Sequence, residues 1–221
     1  MAQAGEKTGD KASPSGAPPK NPVAELYGSM ASLAPQTQMF MDGCAPELDA
    51  KFHRILSRGI VMRNLFALSA GVQKTVYWYL PAVPIPGDGR YNLMALMYGK
   101  IGLLALEDGV FGKRYPGADA FERMTKALNG VQRVKRVNVP GKPSIFLFEV
   151  DRGARGTAYV AWERRDAFSG EDSPAIPFDW QWRWKTASAL DAEGHAVPAK
   201  VADGVLHLDL SLTPILIEPG G

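Results

Sequence analysis

The sequence predicts an α/β segment followed by an all-β part, an antiparallel sandwich, and three observations carry that reading. Apolar residues recur at helical spacing from Pro46 to Gly71. A run apolar on both faces, "TVYWYLPA" at 75–82, follows within a few residues, as a covered parallel strand would. From Val131 onward, short alternating runs separated by turn residues replace the helices.

In chain order, "MAQAGEKTGDKASPSGAPPKNP" (1–22) is rich in Gly, Ala, Ser, Pro and Lys and is expected to be disordered, because it has too little apolar surface to offset the entropy of ordering. Residues 23–33 are expected to form a short helix. "TQMFMDG" (37–43) reads as a brief buried strand ended by Asp-Gly. Pro46 and Glu47 suit the first turn of a helix whose apolar side is Phe52, Ile55, Leu56, Ile60, Leu65 and Leu68, and Gly71 stops it. "KTVYWYL" is then a strand, and "PAVPIPGDGRYN" a loop whose prolines and glycines forbid both helix and strand. "LMALMYGKIGLLALED" reads as a second helix broken near Gly99 or Gly102. "GADAFERMTKALNG" is a clearer one, with Phe121, Met124 and Leu128 on one side and Gly130 as its stop. The later strands are "SIFLFEV", "TAYVAWE", "WQWRWKTASAL", "HAVPAKV", "GVLHLDLS" and "PILIEP". In "GVLHLDLS" the residues Leu206, Leu208 and Leu210 alternate with His207, Asp209 and Ser211, so one face is apolar. The division expected is a tail at 1–22, an α/β segment at 23–135 and a sandwich at 136–221, with the boundary near 135–143.

Composition narrows the function classes. A length of 221 residues allows one large domain or two, and 46% apolar with 22% charged residues is ordinary for a soluble globular protein. A net charge of +2 is too small to point to nucleic acid or an acidic membrane. Cys44 is the sole cysteine, which excludes an internal disulfide and a CxxC metal pair. His53, His195 and His207 lack zinc-ligand spacing. The start lacks the apolar core of a secretion signal, so the chain as written is expected to be cytoplasmic.

The order "SAGVQKTVYWYLP", then "DAFERMTKALNG", then a small sandwich ending "GVLHLDLSLTPILIEP" resembles the C-terminal end of TIM-barrel retaining glycoside hydrolases of the barrel-plus-sandwich type. The resemblance spans residues 35–219. It implies a partial (β/α) barrel segment followed by an antiparallel β-sandwich, and hydrolysis of glycosidic bonds by a pair of carboxylates. No metal or organic cofactor is implied. "TVYWYLPA" then becomes the last barrel strand, with Trp78 as the indole platform under a sugar ring and Tyr77 and Tyr79 on its other face. Core filling by all three aromatics is the competing reading. "MFMDGC" matches the run in which the family keeps its nucleophilic glutamate, which puts Asp42 in that place, one methylene shorter; Glu47 is the second catalytic candidate. For Asp42 a plain turn role in "MDG" competes, and for Glu47 a favourable place on the helix dipole.

A whole barrel takes about 250 residues, and the strand that carries the family's acid/base residue has no counterpart here. The chain is therefore expected to be an incomplete catalyst, a fragment or degenerate relative, completed by a missing N-terminal region or by assembly as a homo-oligomer. Carbohydrate is the expected partner, not nucleic acid or membrane. A second class of reading is a non-catalytic carbohydrate-binding or scaffold protein that uses its sandwich. The alternation of Trp180, Trp182 and Trp184 in "FDWQWRW" puts three indoles on one strand face, expected in the core or at a docking surface in preference to an exposed sugar-binding strip.

Overall fold

The computed structural model of the chain describes residues 20–82 and 91–220. Residues 1–19 of the expected tail and 83–90 of the expected loop lie outside the described residues.

The alternating runs form two antiparallel sheets. The larger comprises β4 (Arg133–Val137), β5 (Ile145–Asp151), β6 (Thr157–Glu163), β8 (Thr186–Asp191) and β11 (Ile215–Gly220), in the order β4-β5-β6-β11-β8. The smaller comprises β7 (Ile176–Gln181), β9 (Lys200–Ala202) and β10 (Val205–Leu210), in the order β7-β10-β9. Between them Ile145, Leu147, Ala161, Phe178, Leu206, Leu208, Leu210, Ile215 and Ile217 make one core. The period-two pattern causes this directly: on β10 the leucines turn inward and His207 turns outward, where its Nδ1 lies 2.7 Å from Asp179 Oδ1 of the facing residue on β7.

The larger sheet is buried on both faces, because α3 (Pro46–Ser69) and α5 (Pro116–Ala127) cover its outer side. Both helices begin with Pro at the first position, where its missing N–H costs nothing. Glu47 and Asp49 add favourable charge at the start of α3. Phe52, Leu56, Ile60, Val61 and Leu65 of α3 meet Phe146, Phe148 and Val150 of β5 and Val160 and Trp162 of β6 in a second core. At its centre Trp162 stacks between Phe146 (5.4 Å) and Phe148 (5.2 Å) and receives Phe66 of α3 edge-on at 5.7 Å. The two helices approach closely at Gly117, where a Cβ would sit 3.0 Å from Leu103 and 3.4 Å from both Ile60 and Leu56. The expected division near 135–143 falls at β4 and the loop after it, and α3 rests directly on this sheet.

An ionic clamp fixes α3 further. Glu171, in the short turn Gly170–Asp172, accepts from Arg54 (2.8 Å) and from Arg58 (2.8 Å), with Lys51 3.4 Å away. Arg58 is only 3% exposed. Burial opposes ionisation of Glu171, but the hydrogen bonds and charges of Arg54 and Arg58 outweigh it and bring its carboxyl down to about 2.

The first half departs from the sequence reading in three places. Residues 37–43 are not a strand: Pro35 opens a single helical turn, α2 (Pro35–Gln38), and the N–H groups of Met39 and Met41 bond back to Pro35 and Gln38, so a ladder has no donors to use. The run is apolar because Met39 and Met41 are buried inside a folded-back turn. Residues 75–80 are not a ladder strand either. Tyr79 has φ 80, a region a bulky residue enters at a cost, and only β1 (Pro81–Ala82) pairs, in parallel, with Leu104 and Ala105. The second helix is short, α4 (Leu93–Tyr98), capped by the Asn92 side chain accepting from Met94 N. It is followed by β2 (Leu104–Glu107) and β3 (Val110–Arg114), joined at Asp108 and Gly109, both with positive φ. An Asp-Gly between apolar runs is a hairpin signal, and the helical reading passed over it. A short helix, α1 (Pro22–Gly28), precedes these elements, capped by the Asn21 side chain. Among the described residues no helix is long and apolar enough to cross a membrane.

Candidate functional site

Three of the sequence-selected residues, Asp42, Trp78 and Tyr79, lie near one short segment, Tyr98 to Gly99, at the end of α4. Trp78 is 64% exposed and meets Tyr98 edge-on at 5.0 Å, with Tyr79 6.1 Å from it and 6.3 Å from Tyr98. Asp42 lies across the same segment: a Cβ built on Gly99 would be 3.8 Å from its Oδ2. Asp42 is exposed in its turn, and its backbone N–H donates to Tyr27 Oη at 3.2 Å. An exposed indole and an exposed carboxylate therefore lie near successive residues, Tyr98 and Gly99.

The remaining candidates sit elsewhere. Tyr77 points inward, its hydroxyl donating to Ile101 O at 2.7 Å and its ring 6.1 Å from Phe121. Burial raises its hydroxyl pKa. Glu47 is exposed in the first turn of α3, with no described contact to the aromatics. Trp182 is in the sandwich core and 3% exposed, donating from Nε1 to Thr186 O at 3.1 Å; Trp180 and Trp184 are half-buried. The three do not share a strand face, because β7 ends at Gln181 and the chain crosses to the other sheet before β8 begins at Thr186.

Sequence reasoning missed the polar cluster that holds the Asp42 turn in place. Lys100 Nζ lies 2.6 Å from Asp49 Oδ1, donates to Met39 O at 3.0 Å and lies 3.4 Å from Cys44 Sγ. His53, four residues after Asp49, stacks on Tyr115 at 4.9 Å. Its pKa is lowered, mainly by burial, with Asp49 opposing, so the imidazole is neutral at pH 7. The one legible signal was the Asp49/His53 spacing on a helix; Lys100 comes from a distant part of the chain. Among the described residues no group of His, Cys, Asp and Glu has the makings of a metal site.

No family profile and no curated protein matches the chain. Among solved structures it is similar to a family 39 glycoside hydrolase from the gut symbiont Bacteroides cellulosilyticus WH2, with TM-score 0.52 and 17% identity; the match covers 74% of this chain and 30% of that one. It is also similar to the catalytic domain of GH30 xylanase C from Talaromyces cellulolyticus, at TM-score 0.39 and 14% identity over 53% of this chain and 27% of that one, a likeness too weak to carry an argument. The chain thus has a glycoside hydrolase-like fold, and spans under a third of the length of the family 39 structure it matches.

Proposed function

We propose that the chain binds carbohydrate at Trp78, with Asp42 accepting sugar hydroxyls beside it, as a glycoside hydrolase-like unit that is incomplete as a catalyst alone. The observation that carries this is an indole left 64% exposed and braced by Tyr98, within a glycoside hydrolase-like fold. A largely exposed indole is suited to the apolar face of a pyranose. Retaining chemistry needs two carboxyl groups about 5–5.5 Å apart, and the second is supplied in this reading by polypeptide packed on the apolar surface around Val76, Leu80, Leu93, Met97 and Phe111.

Titration of the chain with xylohexaose and cellohexaose tests the reading. At least one sugar is expected to bind, and Trp78→Ala to weaken it by roughly tenfold or more. Binding that Trp78→Ala leaves untouched removes this site. With aryl glycosides, wild type and Asp42→Asn are both expected at background, and clear turnover by the wild type contradicts the incompleteness.

A further inference from the structure

The tryptophan-rich stretch plays no part in the site around Trp78, yet it lines an open hollow on the sandwich. An open depression of about 610 Å³ is lined by Trp180, Trp182, Trp184 and Tyr159, with Glu149 and Arg183 among its polar groups. That volume lies within the about 300–1,000 Å³ usual for small-molecule sites.

The geometry points to this hollow as a second carbohydrate site, taking a neutral oligosaccharide. It rests on the reading of the chain as carbohydrate-binding, but on residues from the other end of the sequence. Where the sequence suggested a flat line of indoles, the crossing from β7 to β8 folds Trp182 and Trp184 against each other at 4.7 Å and 56°. Tyr159 of β6 closes the floor, 5.4 Å from Trp182 and 6.0 Å from Trp184. Phe178 backs Trp180 in a parallel stack at 6.1 Å. The surface is therefore concave, and it is rigid, since its rings are held by strands and by one another; a ligand need not order it.

The polar groups settle the ligand class. Tyr159 donates to Glu149 Oε2 at 3.2 Å, and burial, reinforced by the Glu149 charge, pushes the tyrosine up to about 12, so it stays a donor. The Arg183 guanidinium lies 4.5 Å over the Trp184 ring. One anion and one cation face the same hollow, so neither sign of ligand is favoured. A hollow lined by both aromatic and polar side chains matches a ligand with apolar faces and hydroxyl edges.

Calorimetric titration of wild type, Trp78→Ala and Trp184→Ala with xylohexaose and cellohexaose decides the matter. Two binding events are expected in the wild type, with Trp184→Ala weakening one by roughly tenfold or more and leaving the other. Binding abolished by Trp184→Ala and indifferent to Trp78→Ala supports the hollow and removes the Trp78 site. Binding abolished by Trp78→Ala and unchanged in Trp184→Ala overturns the hollow and leaves the first reading standing. Absence of heat with both sugars overturns the hollow. If circular dichroism shows Trp184→Ala unfolded, the indole N–H signal of Trp184 in the wild type decides: movement during the titration supports the site, and a fixed signal overturns it.

Discussion

The two halves of the molecule bury their apolar residues very differently. In the sandwich Leu190 is alone among the described large apolar residues in standing well exposed, because the larger sheet has a core on each face. Between residues 72 and 111 the reverse holds: Val76 is 81% exposed and Val110 68%, and Trp78, Leu80, Leu93, Met94, Met97 and Phe111 stand with them. Exposed apolar side chains in such number are unusual on a monomer. The difference teaches where stability resides: α3, α5 and the sandwich bury their apolar residues in two cores, while the described residues between 72 and 111 leave several of theirs exposed.

The sharpest test of that contrast pairs two tryptophans. Trp162→Ala removes the ring between Phe146 and Phe148 and is expected to cost about 3–5 kcal/mol in denaturant unfolding. Trp78→Ala is expected to cost less than about 0.5 kcal/mol. Similar losses at the two sites erase the distinction.

Next in size is the ionic clamp. Glu171→Gln leaves Arg58 buried beside a neutral partner and is expected to cost on the order of 3 kcal/mol. The same group sets an acid limit. Its carboxyl is at about 2 when folded against 4.5 ordinarily, so its contribution is full above pH 4.5 and is lost as the pH falls toward 2. Wild type and Glu171→Gln unfolding curves are expected to converge over that interval; a constant gap between them contradicts the assignment.

The smallest effect is expected on the exposed side. Leu93→Ser and Met97→Ser each change unfolding free energy by less than about 0.5 kcal/mol and reduce concentration-dependent association in sedimentation velocity. A loss above about 1 kcal/mol means those side chains are covered within the chain.

Legibility in the sequence follows the same division. Long, regular patterns were readable: Pro46 to Ser69 as a helix, Pro116–Ala127 as another, and β5, β6, β10 and β11 as strands. These elements obey one period and pack along it. The misses lie where an apolar run is buried by folding back and not by pairing. Met39 and Met41 look like strand residues and sit in a turn; Tyr79, with φ 80, breaks the strand that its neighbours' chemistry favours. Alternation also misled at Trp182 and Trp184, since a crossing between sheets is invisible to a period-two count. Within the candidate site, Asp42 and Trp78 were selected from their order in the sequence, whereas Lys100, which fastens the Asp42 turn, carried no local signal.

The most direct test of sugar recognition at Trp78 uses the chain's five indole N–H signals, followed by NMR during titration with xylohexaose and cellohexaose. The signal of Trp78 is predicted to move with saturable dependence on at least one sugar, while that of Trp162, sealed between two phenylalanines, stays fixed. A Trp78 signal that stays still through both titrations contradicts the account.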